Sequence, residues 1–191
     1  TSKDKALKKI SDAAKNSKWA WIEASGIISF IYLWLEDAPD MALPYAERLS
    51  KEFPENFYFN ILHLESLIRT SYFKEANDLI RVLEHKFDLL TKRQKEWYGP
   101  YLNYEKALLL FYEKNYWETH PIIDIAIENY SGELDIILGN LFLLKAKVFD
   151  LQGDRSNAIE YYKKCIVLNN LSSAIKESKQ YLKKPFTDYG L

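Results

Sequence analysis

The chain has 191 residues, 48% hydrophobic and 15% aromatic, which supplies a packed core and excludes intrinsic disorder. Its 26 Lys and Arg balance 27 Asp and Glu, so no strong field marks it for nucleic acid or an anionic membrane. Only 6 Gly, 6 Pro and one cysteine, Cys165, argue against turn-rich β folds, an internal disulfide and a multi-cysteine metal site.

The opening Thr1-Ser2-Lys3 carries neither a methionine nor a signal-peptide pattern, so the expectation is a soluble, trimmed or mature chain without its targeting segment. Ala6, Ile10 and Ala13 share one face of a first helix, spaced like the second helices further on, as if the chain opened on half a repeat. Residues 19–35 are the most apolar stretch. They include Glu23, Ser25, Gly26 and Ser29 and fall short of the ~20 apolar residues of a membrane span, so a buried helix is expected and membrane insertion is not.

Four helical hairpins follow. The first, 23–56, places Phe30 and Leu33 on one helix, a turn at Asp37-Ala38-Pro39-Asp40, then Ala42, Ala46 and Leu49 on the next, ending at Pro54. The second, 57–88, has Leu64 and Leu67, then Phe73, Ala76, Ile80 and Leu83. The third, 100–132, has Ala107 and Leu110, then Tyr116, Thr119, Ile123 and Ala126, with Pro121 in the first turn, where proline is tolerated. The fourth, 139–172, has Leu141, Ala146 and Phe149, a break at Gly153-Asp154, then Ala158, Tyr162 and Cys165. Residues 172–184 read as a capping helix with Ala174, Ile175, Ser178, Tyr181 and Leu182 inward, stopped by Pro185.

Corresponding small residues, Ala42, Ala76, Thr119 and Ala158, stand 34, 43 and 39 apart, with the extra length expected in the junctions 87–99 and 130–138. In order and spacing these hairpins resemble the tetratricopeptide repeat, and the match is closest in the last. There Cys165 takes a usual alanine site and Asn170 stands where the family often has proline. The run Asp150-x-Gln152-Gly153-x-Arg155 with Tyr181-Leu182-x-x-Pro185-Phe186 is similar to the ending of many bacterial repeat proteins. The resemblance implies an all-α right-handed superhelix over a single domain, 1–191, of about four hairpins plus an N-terminal and a C-terminal helix.

Little in the chain speaks of chemistry. There is no phosphate-binding glycine loop, dinucleotide fingerprint or nucleophile elbow. His63, His85 and His120 are far apart, without the one-turn pairing of a helical zinc motif, and Cys165 reads as a small packing residue. No catalytic residue, cofactor or metal is expected, and the chain reads as a non-enzyme.

In the family the first helix of each hairpin lines a concave groove. Carried onto this chain, that implies a partner-binding set of Trp34, Tyr58, Glu65, Arg69, Tyr101, Tyr104, Phe111, Tyr112 and Lys147. Tyr and Trp combine rigid apolar area with a polar tip, the profile of interface hot spots. The family's clamp for a terminal carboxylate is not expected, because its positions hold Ile27, Ile31, Ile61 and Glu65. The expected function is therefore a scaffold taking a helix or extended peptide from a protein partner. The alternative is a structural role as a homodimer, with the groove filled by the chain's own aromatic residues.

Overall fold

The computed structural model describes residues 2–132 and 135–188. Among them are ten α-helices and no strand: α1 (Ser2–Asn16), α2 (Trp21–Phe30), α3 (Pro39–Glu52), α4 (Phe57–Arg69), α5 (Phe73–Asp88), α6 (Lys92–Tyr112), α7 (Tyr116–Glu128), α8 (Ile136–Leu151), α9 (Arg155–Val167) and α10 (Ser173–Lys183). A π-helical turn, Ile31–Leu35, continues α2. The all-α expectation holds. No helix of the described residues is long and apolar enough to cross a membrane.

The chain divides into two compact units, Thr1–Glu84 and His85–Leu191. In the first, α1 packs on α2, α2 on α3 and α3 on α4, and α2 also meets α4. The expected inward face of α1 is turned by one residue: Ala14 is the buried one, beside half-buried Ile10 and Ala13, and Ala6 is exposed. In the second unit consecutive helices from α6 to α10 pack on one another, and α8 also touches α6 and α10. Its core gathers Leu143, Ala146, Ala158, Tyr162, Cys165, Ala174 and Ile175, so the capping helix α10 covers the last hairpin.

The hairpin turns repeat in detail. Asp37, Ser71, Lys114 and Gly153 all have positive φ, and each precedes by five residues a small side chain with no exposed surface: Ala42, Ala76, Thr119 and Ala158. Left-handed backbone at this point lets the chain reverse while bonding the last carbonyls of the outgoing helix. In three of the turns the bond spans five residues: Tyr72 N–H to the Leu67 carbonyl, Asn115 to Leu110 and Asp154 to Phe149, at 2.9, 2.8 and 2.9 Å. In the first turn it spans six, Ala38 N–H to Tyr32, at 2.8 Å.

The extra residue belongs to the π turn, and it shifts everything before it. Fully buried Leu64, Ala107 and Ala146 lie seven residues before their turn residues, whereas buried Ser29 lies eight before Asp37. Ser29 therefore takes the inward place that a regular helix would assign to Phe30, and its hydroxyl donates to the Ser25 carbonyl at 2.8 Å. Phe30 is only half-buried, and Ile27 is exposed.

The third hairpin also departs from its expected bounds. Its first helix begins at Lys92, not near Pro100, and runs 21 residues with Pro100 inside it. Thr91 and Gln94 form a capping box: the Gln94 N–H donates to the Thr91 hydroxyl, and the Thr91 N–H to Gln94 Oε1. Much of the length expected as a junction at 87–99 is helix.

Candidate functional site

The nine groove residues fall into both units. In the first unit three of them come together at the π turn. Glu65, with a side chain that has no exposed surface, accepts from the Trp34 indole N–H and from Arg69 Nη1, the latter at 3.2 Å. Arg69 also donates to the Leu33 carbonyl at 2.6 Å and pairs with Asp37 through Nη2. In the other turns the carbonyl four residues before the turn residue accepts the closing N–H; here that bond goes to Tyr32, which leaves the Leu33 carbonyl to this guanidinium. Trp34 and Glu65 thus hold α4 to the end of α2 from inside. Tyr58 stands apart on α4, half-buried, with its ring 6.4 Å from Phe59.

In the second unit the remaining five lie on α6 and α8. Tyr104 and Phe111 are buried, at 4% and 2% exposure, so they are packing residues as the chain stands; Tyr101, Tyr112 and Lys147 are half-buried. Burial raises the pKa of the Tyr101 phenol, and the nearby Tyr98 adds to it. Phe111 touches Tyr112 edge-on at 5.8 Å and Tyr116 at 5.7 Å.

The most organised feature of this unit joins Phe111 and Lys147 to residues outside the nine. After α10 stops at Lys183, residues 185–188 run as a strap without helix, and Phe186 turns back into the unit at 7% exposure. Its ring lies 5.9 Å from Phe111, 5.2 Å from Tyr181 and 5.1 Å from the Lys147 ammonium. Its N–H donates to Asp150 Oδ2 at 2.8 Å. Further along, Tyr116 donates to Asp188 at 3.4 Å, and the Lys114 ammonium lies 3.8 Å from the same carboxylate. Burial, with Asp188 adding to it, raises the pKa of the Tyr116 phenol.

Asp150 is the node of this arrangement. Its side chain has no exposed surface, accepts twice from Arg155 Nη1 at 2.9 and 3.0 Å, and accepts from the Tyr162 hydroxyl at 2.8 Å. Arg155 in turn donates to the Tyr181 and Leu182 carbonyls at 2.7 and 3.0 Å, which fastens the end of α10 to α9. Lys147 is held by Glu177 at 2.6 Å and lies 5.5 Å over the Tyr181 ring. Burial and the bond to Asp150 push the Tyr162 phenol far above its ordinary range, so it stays a neutral donor.

Energies show how firmly Phe186 is seated. Burying a phenylalanine stabilises by roughly 1.5–3 kcal/mol and a hydrogen bond to a carboxylate by roughly 1.5–3 kcal/mol. Ordering four residues costs roughly 4–8 kcal/mol. Closure of the strap therefore sits near balance. The sequence signal for this site was an aromatic residue directly after a helix-stopping proline, which no periodicity explains.

Among the described residues no group of His, Cys, Asp or Glu could hold a metal ion. His120 bonds Gln152 at 2.7 Å and lies against Phe149. Cys165 is buried, and burial pushes its thiol up to about 11, so the reactive thiolate is suppressed at neutral pH. Compared with protein-family models, with curated proteins and with solved structures, the chain finds no match in any of the three.

Proposed function

We propose that each unit is a run of degenerate tetratricopeptide-like hairpins with right-handed superhelical winding, and that the chain is a non-enzymatic scaffold that binds a protein segment. Four turns with a positive-φ residue, each five residues before a fully buried small residue, support the repeat reading. Contacts between alternate helices, α2 with α4 and α8 with α6 and α10, fit stacked hairpins. The binding reading rests on one observation: the faces of α6 and α8 carry an aromatic and charged cradle that holds an extended segment, Phe186 and its neighbours.

Half-buried Tyr58, Arg69, Tyr101, Tyr112 and Lys147 are the members of the expected set with surface to offer a partner. Phe186 in the cradle also favours the second reading, a structural protein whose groove is filled from within. Affinity capture with wild-type chain and with Tyr101→Ala/Tyr112→Ala tests the first, alongside mass measurement over a concentration series. Loss of a captured partner in the variant supports the scaffold. Capture that is unchanged by the substitutions, with a mass that doubles on concentration, refutes it in favour of assembly.

A further inference from the structure

We infer that the cradle of Phe111, Lys147, Asp150 and Tyr181 is a docking site for an extended partner segment bearing an aromatic residue and, two positions later, a carboxylate. Residues 185–188 are its resident intramolecular competitor. This rests on the protein-binding reading and gives it a ligand chemistry. The occupant is read from the segment already seated there, Phe186-Thr187-Asp188.

The cradle is built without the strap. Asp150 is fixed by Arg155 and Tyr162, and Lys147 by Glu177. The Tyr181 ring rests on Tyr162, 5.9 Å away. With the strap lifted, an acceptor, a cation and two ring faces still converge on one space. The strap itself hangs on one side chain: Phe186 is buried, whereas Lys183, Lys184, Pro185 and Thr187 are exposed. Its outer tether is a long bond from Tyr116 and an exposed lysine, Lys114. What the cradle recognises is a backbone N–H and an aromatic ring, with Lys114 and Tyr116 beyond it to meet a carboxylate. Any extended segment of that pattern can supply these, as in other modes where main-chain bonds give affinity and a pocket gives specificity.

The test uses a fluorescein-labelled peptide of residues 183–188, Lys-Lys-Pro-Phe-Thr-Asp, with the full chain, read by polarisation. A strap closed about nine-tenths of the time weakens apparent affinity about tenfold, so Phe186→Ala should bind the peptide about tenfold tighter than wild type. Adding Lys147→Ala should abolish that gain, and a peptide with alanine for phenylalanine should not bind. Asp188→Ala loosens only the outer tether and should gain about two- to threefold; it carries the comparison if Phe186→Ala does not melt cooperatively.

A folded Phe186→Ala chain, or failing that Asp188→Ala, that binds no tighter than wild type overturns the proposal. So does a wild-type mass that doubles with concentration and reverts in Phe186→Ala, which would assign the strap to a second copy. Either result leaves partner capture through Tyr101 and Tyr112 standing, so failure here is distinct from failure of the scaffold reading.

Discussion

Asp150→Ala should be among the most damaging single substitutions in the second unit, and its cost can be apportioned. The Tyr162 hydroxyl would lose its acceptor inside a residue with no exposed surface, which costs about 1–3 kcal/mol. Arg155 would lose two bonds, but its side chain keeps 30% exposure and two backbone acceptors, so water replaces much of the loss, leaving about 1 kcal/mol. The Phe186 N–H would lose its acceptor too. The sum is about 3–5 kcal/mol, in the range for breaking a buried pair by removing one partner.

Tyr162→Phe should cost only about 1 kcal/mol, because Arg155 still satisfies Asp150. In the double variant no buried hydroxyl is orphaned, so the two changes should be coupled by about 1–2 kcal/mol. Urea unfolding of the four proteins, followed by far-UV circular dichroism, gives each free energy and checks that the slope is unchanged. Additive costs, agreeing within about 0.5 kcal/mol, would show that Asp150 and Tyr162 act separately and that Asp150 does not organise its surroundings as one unit.

Three further outcomes are expected. Ala158→Leu or Ala146→Leu, each at a site with no exposed surface, should overpack the crossing of α8 and α9 and cost about 1–3 kcal/mol, seen as a drop in Tm. Ala38→Leu, in a half-buried turn, should cost little, and equal effects would count against the hairpin assignment. Gly153→Ala meets nothing within 4 Å but must adopt φ near +79°, so it should lose about 1 kcal/mol on backbone grounds alone; a gain, as for Gly→Ala in a regular helix, would contradict the turn geometry. Burial lowers the pKa of His63 below its ordinary 6.5, against the pull of Glu47 and with help from Lys51. Below pH 6.5 the unfolded chain therefore takes up a proton that the folded chain does not, and stability falls as pH drops toward the lower folded value. Chemical melts of His63→Gln between pH 7.5 and about 5 should show a flatter slope than wild type.

The hairpins were legible because their punctuation is local. Asp37 to Asp40, Pro54 and Gly153-Asp154 stop and start helices by their own backbone preferences, and Ala42, Ala76, Thr119 and Ala158 fell on the inward faces that spacing assigns. The first helix of the first hairpin was not, because helical spacing assumes one pitch and α2 changes pitch at Ile31. Trp34 and Glu65 stood on the face expected to meet a partner, yet each satisfies the other in the interior. A polar residue 31 positions away is invisible to periodicity, so a buried pair reads as a surface one. Phe186 was hidden for a different reason: beyond Pro185 there is no helix to give it a face.

The π turn also bears on how the first hairpin compares with the others. A residue-by-residue superposition of the first hairpin on the others runs in phase from Asp37 onward and slips by one before Ile31, so the gap falls in mid-helix, where insertions are least expected. Any profile that counts an unbroken hairpin reads Phe30 and Ile27 as inward residues and Ser29 as solvent-facing, whereas Ser29 is fully buried, Phe30 half-buried and Ile27 exposed. One added residue thus keeps the packing and erases the written pattern. In this hairpin, the likeness to the other three is kept in the turn and the buried serine, and lost from the spacing of its large apolar residues.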